Sequence, residues 1–173
     1  SGSVLQRVKL SASSMRGARL TNVIWEMADL RNADLTRADL TDSIFADCDW
    51  NGIHASSASF RNTTFTQGRG GASHFTDCDF KEAQFLGSEL PKCEWLSCNL
   101  EAVKMPHCTL QGSRWERCRM IDAWLPTSDL RDAEFREADL SKATLMECDL
   151  NRARFPGSII TGAQFDSARI HDT

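Results

Sequence analysis

Residues 28–42 read Ala28-Asp29-Leu30-Arg31-Asn32-Ala33-Asp34-Leu35-Thr36-Arg37-Ala38-Asp39-Leu40-Thr41-Asp42, three consecutive five-residue units that each begin with Ala-Asp-Leu. The rest of the chain repeats this unit more loosely. A large apolar residue occupies 32 of the 34 positions whose number is a multiple of five. A small residue, usually Ala, Ser or Cys, lies two positions earlier. Neither the period of an α-helix nor that of an ordinary strand matches a strict five-residue repeat.

The charged residues follow the same period. All 44 charges, 20 basic and 24 acidic, avoid the large apolar position and the small position. Two positions in every five are therefore free of charge along the whole chain. This pattern predicts a solenoid in which each unit points the same two side chains inward and stacks on its neighbours.

The inward positions define the predicted structural core. The residues that we expect to fill it are Leu30, Leu35, Leu40, Phe45, Trp50, Phe80, Phe85, Trp95, Trp115, Phe135 and Leu140.

The repeat resembles the pentapeptide-repeat family, whose motif is Ala-(Asp/Asn)-Leu-x-x. The motif is matched by Ala33-Asp34-Leu35, Ala38-Asp39-Leu40, Ala138-Asp139-Leu140 and, with Cys for Ala, Cys148-Asp149-Leu150. The resemblance implies an all-β fold, a right-handed four-sided parallel β-helix with about twenty residues per coil. It also implies that residues n and n+20 lie one above the other. At that spacing the chain gives about eight coils.

A single repeat domain is predicted over residues 4–172. Ser1-Gly2-Ser3 lacks a Met and is interpreted as an expression-tag remnant, which suggests a fragment of a longer protein. The segment 67–71 contains Gly68, Gly70 and Gly71 and is the one lapse in the pattern; it predicts a bulge or a mobile side of one coil. Ile53 and Ala55 exchange the small and large positions within one unit, which keeps the filled volume. The four prolines follow the large position, which favours a corner there.

The candidate chemical groups favour structural roles. Cys48, Cys78, Cys93, Cys98, Cys108, Cys118 and Cys148 all occupy the small inward position. We interpret them as buried, reduced space fillers, so the sequence predicts no metal and no cofactor. His54 and His74 are expected to lie one coil apart, where an adventitious metal or a pH-sensitive patch is the alternative to two solvated surface histidines. With every acidic residue facing outward and no long loops, we predict no catalytic residues and no enzyme.

One side of the predicted rod is unusually apolar. It has only six charges, against 12, 14 and 12 on the others, and points Val4, Ile24, Met27, Ile44, Leu86, Trp124 and Met146 outward. Apolar strips on an otherwise solvated surface are typical of contacts with a protein or with another copy of the chain. We therefore predict a protein-interaction face formed by Ile24, Met27, Ile44, Leu86, Trp124 and Met146.

Two function classes follow. The first is a non-catalytic scaffold or protein-binding module, one domain of a larger bacterial protein such as a secreted effector or a secretion-apparatus component. Its partner is another protein of unknown identity, or a second copy bound by the side or the ends. The second comes from the resemblance: some members of the family imitate DNA, bind gyrase or topoisomerase IV, and protect against quinolones.

The net charge of −4 favours the first class over DNA mimicry. A DNA duplex carries one negative charge per about 1.7 Å, and a protein that imitates it needs a far larger negative charge than this chain has. The net charge also gives no basic surface for nucleic acid, and no run is long enough for a membrane span. The unpaired cysteines indicate the cytoplasm or another reducing compartment, with secretion as an effector compatible with the pattern.

Overall fold

The computed structural model describes residues 2–172, and Ser1 and Thr173 lie outside that range. The described chain is a parallel β-solenoid with no helix. Its backbone pairs each residue with the residue twenty positions later, as in the bridge between Asp29 and Asp49. The Leu30 N–H accordingly donates to the carbonyl of Asp49 at 2.7 Å. The predicted stacking of n on n+20, and the fold class, are confirmed.

Ten short strands form two parallel sheets. They are β1 (Val4–Gln6), β2 (Ile24–Glu26), β3 (Ile44–Ala46), β4 (His54–Ser56), β5 (Thr64–Thr66), β6 (His74–Thr76), β7 (Gln84–Leu86), β8 (Glu94–Leu96), β9 (Arg114–Glu116) and β10 (Glu134–Arg136). One sheet has the order β1-β2-β3-β5-β7 and the other β10-β9-β8-β6-β4. Isolated parallel bridges continue both sheets and build the other two sides, which makes the rod four-sided.

The corners explain why Asp recurs in the repeat. The second residue after each buried large residue adopts a positive φ of 51 to 71°, in most cases without being glycine. The N–H of the first residue after the large one makes no ladder hydrogen bond at corners such as Thr36 and Ser141, and the Asp two positions before it accepts from that N–H instead. The Oδ1 of Asp34 accepts from the Thr36 N–H at 2.9 Å, and the Oδ1 of Asp139 accepts from the Ser141 N–H at 3.0 Å. The carboxylate therefore satisfies a turn donor that has no backbone partner.

Proline occupies the same first corner position. Pro91, Pro106, Pro126 and Pro156 each begin a two-residue turn, as expected from their place after the large residue. Their carbonyls still accept ladder hydrogen bonds, for example from the Ala72 N–H to Pro91 at 2.9 Å. Since this position donates nothing to the ladder, proline costs no backbone hydrogen bond there.

The interior is one continuous hydrophobic core. The eleven residues named above as the core are all 0–2% exposed. Successive coils stack aromatic rings face to face, with the Phe65 and Phe85 centroids 4.5 Å apart and those of Trp115 and Phe135 also 4.5 Å apart. Ile53 and Ala55 are both 2% exposed, so the exchanged pair leaves no open gap to solvent.

The number of coils differs slightly from the prediction. The solenoid has about seven turns rather than about eight. The fully buried core runs from Val23 to Ala153, whereas Leu5, Leu10 and Phe165 are only partly buried. Ile160 and Ile170, which the repeat places inward, are 48% and 49% exposed, because each packs against a described coil on one side only.

The predicted bulge at residues 67–71 is wrong. Arg69 bridges both Asp49 and Glu89 in regular register, and the Gly70 N–H donates to the Glu89 carbonyl at 2.8 Å. The Trp50 indole occupies the space that the missing side chains leave: a Cβ on Gly70 would lie 2.1 Å from its ring, and one on Gly68 would lie 2.8 Å from its Nε1. A large side chain from the preceding coil thus fills the volume that the glycines vacate.

Candidate interaction surface

Two opposite sides of the rod pack against the same core and differ in the side chains that they expose. We call the first the apolar face: the outward residues of segments 4–7, 24–27, 44–47, 64–67, 84–87, 104–107, 124–127 and 144–147, stacked at twenty-residue spacing on the sheet that contains β1. The second is the charged face: the outward residues of segments 14–17, 34–37, 54–57, 74–77, 94–97, 114–117, 134–137 and 154–157, on the sheet that contains β4. The two sheets provide rigid, regularly spaced positions for outward side chains.

All six residues of the predicted interaction face lie on the apolar face. Met27, Ile44, Trp124 and Met146 are 44%, 40%, 43% and 37% exposed, which leaves much of each apolar side chain in solvent. Ile24 and Leu86 are half-buried. Whether these residues bind a protein stays a prediction.

The structure divides this strip into two patches. The amino-terminal patch consists of Val4, Ile24, Met27 and Ile44, with β1, β2 and β3 paired in register. The carboxy-terminal patch consists of Leu86, Trp124, Pro126 and Met146, and Pro106, in the same column, is buried. Its order in the ladder follows from hydrogen bonds of Gly87 to Pro106, His107 to Pro126 and Thr127 to Met146.

Polar residues separate the two patches. Thr64 and Gln84 stand between Ile44 and Lys104 in the outward column. Pro126 was not named as a surface residue from the sequence, because proline at that position was expected only to form a corner. The twenty-residue register was the signal that could have found it, since it places Pro126 in the outward column between Leu86 and Met146.

The charged face carries a column of paired ionisable side chains. His54 and His74 stack with ring centroids 5.1 Å apart and an interplanar angle of 3°. The Nδ1 of His74 lies 3.0 Å from the Oε2 of Glu94, and Arg114 lies 3.9 Å from the same carboxylate. Within residues 2–172, no group of three or more His, Cys, Asp or Glu side chains is arranged to hold a metal ion.

The seven cysteines lie in the interior as free thiols. Burial raises the pKa of Cys93 and Cys108 to about 12 and that of Cys148 to about 11. Hydrogen bonding from Cys98, together with burial, raises the pKa of Cys78 as well. A thiol kept protonated is a poor nucleophile and a poor metal ligand, which fits a space-filling role.

Several acidic residues on the surface are neutralised locally. On the side between the two faces, Asp29 pairs with Arg31 at 2.7 Å and Asp49 pairs with Arg69 at 3.4 Å. Farther along the same column, Asp129 pairs with Arg131 at 2.6 Å. Such pairing does not produce the uncompensated rows of negative charge that a DNA backbone presents.

The surface hollows are shallow and open to solvent. One is lined by Glu134, Arg136, Arg154 and Phe155, and another by Glu94, Arg114 and Glu116. Charged side chains in ion pairs line both, without the enclosed apolar walls that are typical of substrate sites. Among residues 2–172, no helix is long and apolar enough to cross a membrane.

The fold and its surface define a four-sided repeat solenoid. The family description "Pentapeptide repeat region" matches residues 18–95 and 88–165. The chain therefore belongs to the pentapeptide-repeat family. A search of curated protein sequences gave no match.

Several solved structures match the chain at low sequence identity and with TM-scores below 0.5. HetL, a pentapeptide repeat protein involved in heterocyst differentiation regulation in the cyanobacterium Nostoc sp. strain PCC 7120, is 19% identical, with 96% of this chain and 86% of that chain covered and a TM-score of 0.35. QnrB1, a plasmid-mediated fluoroquinolone resistance protein, is 18% identical, with 97% and 93% covered and a TM-score of 0.44. A pentapeptide repeat protein from the Arabidopsis thaliana thylakoid lumen is 21% identical, with 68% of each chain covered and a TM-score of 0.23.

Proposed function

We propose that this protein is a non-catalytic protein-binding module that contacts its partner through the apolar face. The observation that carries the proposal is the exposure of Met27, Ile44, Trp124 and Met146 on one side of a rod whose opposite side is charged. As such a module it suits a scaffold, a secreted effector or a secretion-apparatus component within a larger protein.

The energetics support binding at this face. Removing apolar surface from water stabilises a complex by about 25 cal/mol per Å², and a half-exposed Trp is among the residues that most often dominate an interface. Two ladder bonds to the preceding coil hold the Trp124 backbone: its N–H donates to the Val103 carbonyl at 2.9 Å, and its carbonyl accepts from the Met105 N–H at 2.8 Å. A rigid backbone lowers the entropy that is lost on association.

Site-specific photo-crosslinking tests the proposal. A photoreactive amino acid replaces Thr64, between the two patches, and in a matched control it replaces Glu94 on the charged face. We expect irradiation in the native cell to join the protein to another polypeptide from position 64 and not from position 94. Equal yields from the two positions, or none from position 64, would contradict a binding role for the apolar face.

The DNA-mimic alternative is less well supported. Several acidic residues pair with arginines, as Asp49 does with Arg69 and Asp129 with Arg131, and the net charge is only −4. We therefore expect no inhibition of DNA supercoiling by gyrase.

A further inference from the structure

We propose that the partner on the apolar face is a second copy of this chain, packed face to face with the two solenoid axes antiparallel. This inference rests on the proposed function and names its partner. The spacing of the two patches and of the charges around them supports this arrangement.

The two patches lie toward opposite ends of one face, on either side of the polar residues Thr64 and Gln84. The two copies are related by a two-fold axis that lies in the plane of the face, perpendicular to the solenoid axis, between segments 64–67 and 84–87. This axis makes the two rods antiparallel, and each outward column of one copy lies over the same column of the other. It therefore places the amino-terminal patch of one copy on the carboxy-terminal patch of the other. Such an isologous arrangement makes every contact twice. The facing segments are 4–7 with 144–147, 24–27 with 124–127, 44–47 with 104–107, and 64–67 with 84–87.

One apolar pair lies directly opposed in this arrangement. Ile24 and Trp124 occupy the same outward column, as the ladders through Ile44 and Lys104 show, so Ile24 of each copy lies opposite Trp124 of the other. The bulky, exposed Trp124 thus meets the half-buried Ile24. Ile44 lies opposite Lys104 and one ladder step, about 4.8 Å, from Trp124 of the other copy.

The charges match as well. Arg7 lies opposite Glu147 in the same column, and Asp47 lies opposite His107. Glu26 faces Pro126 and already accepts a hydrogen bond at 3.0 Å from Gln6 of its own chain. No like charges oppose each other across these segments. A parallel arrangement would instead place each segment against the same segment of the other copy and leave Arg7 and Glu147 without opposite charges.

The size of the face sets the expected affinity. Eight segments spaced by about 4.8 Å give a length of about 38 Å, and four residues across give a width of roughly 12 Å. A contact of roughly 450 Å² per copy falls below the standard protein interface of about 800 Å² per partner. The dimer is therefore expected to be reversible, with a dissociation constant in the micromolar range or above.

Sedimentation velocity over a concentration series tests the charge pairing. We expect Arg7→Glu and Glu147→Arg to weaken dimerisation at least about fivefold each, because each change creates two like-charge contacts. The double variant Arg7→Glu/Glu147→Arg should restore the wild-type dissociation constant to within about twofold. Arg37→Glu, on the charged face, serves as the matched control and should leave dimerisation unchanged.

Cysteine crosslinking of mixed variants tests the orientation. Met27→Cys and Thr127→Cys proteins are treated with a short bismaleimide, separately and as a mixture; the native thiols are buried and react slowly. In the antiparallel dimer two copies of position 27 lie about 24 Å apart along the axis, so only the mixture should give a crosslinked dimer.

The remaining outcomes separate this inference from the proposed function. Crosslinks in each variant alone would overturn the antiparallel arrangement. A wild-type protein that stays monomeric at all concentrations, while position 64 photo-crosslinks a different polypeptide, would overturn self-association and leave the binding role intact. Monomeric protein without any crosslink from position 64 would contradict both.

Discussion

The apolar face and the charged face are built on the same interior and differ only in what they present to solvent. Phe65 and Phe85 stack beneath the first, and Trp115 and Phe135 stack beneath the second, each pair at 4.5 Å. Outside, the first shows Ile44 and Trp124, whereas the second shows His74 and its ion-paired neighbours. Two inward positions in five are enough to specify the fold, which leaves the outward positions free to determine function.

Truncating one buried ring beneath each face tests whether the two faces pack against an equivalent core. Phe85→Ala and Phe135→Ala each remove a fully buried, stacked side chain and should each lower the free energy of unfolding by about 3–5 kcal/mol. Guanidinium denaturation measures both. Costs that differ by more than about 2 kcal/mol would contradict the view that the two sheets share one core.

The region between the two faces provides a second test. Gly70→Ala should cost about 1–3 kcal/mol, because the new Cβ would overlap the buried Trp50 ring. In a Trp50→Leu background the same change should cost at least about 1 kcal/mol less, since the ring that it strikes is gone. An equal cost in both backgrounds would show that Trp50 does not fill the glycine gap.

Lowering the pH should destabilise the charged face more than the apolar face. Hydrogen bonds from Thr36, together with the Arg16 guanidinium, lower the pKa of Asp34 from 3.8 to about 2. A lowered folded-state pKa stabilises the protein above about pH 4, and this contribution is lost as the pH falls toward 2. Asp34→Asn should therefore show a smaller decline in the thermal unfolding midpoint between pH 4 and pH 2 than the wild type. An identical decline in the variant and the wild type would show that Asp34 does not cause the loss of stability in acid.

The sequence predicted the solenoid because its signal repeats at nearly every unit. Leu30 and Trp50 lie one above the other in successive coils, and both belong to a five-residue register that contains no charged residue. The glycine segment was misjudged for a physical reason: a five-residue pattern shows which side chain is missing, but not that Trp50 from the preceding coil can fill the space.

The candidate surface was predicted only in part. Sequence register placed Ile44 and Trp124 on one side, and the structure adds their exposure and their separation into two patches. The fit between the patches of two copies depends on which coil of one copy lies opposite which coil of the other. The repeat within a single chain does not reveal that. Pro126 was missed because turn chemistry alone accounts for a proline at a corner, although the twenty-residue register places it between Leu86 and Met146.

Pulsed dipolar spectroscopy tests most directly whether the apolar face carries the contact. Spin labels are attached to Gln67→Cys, beside the two-fold axis, or to Ser167→Cys, far from it; both positions are exposed. The antiparallel dimer predicts a distance below about 20 Å for position 67 and about 43 Å or more for position 167, from one and nine ladder spacings of about 4.8 Å. Equal distances at the two positions, or no defined distance at either, would contradict the account.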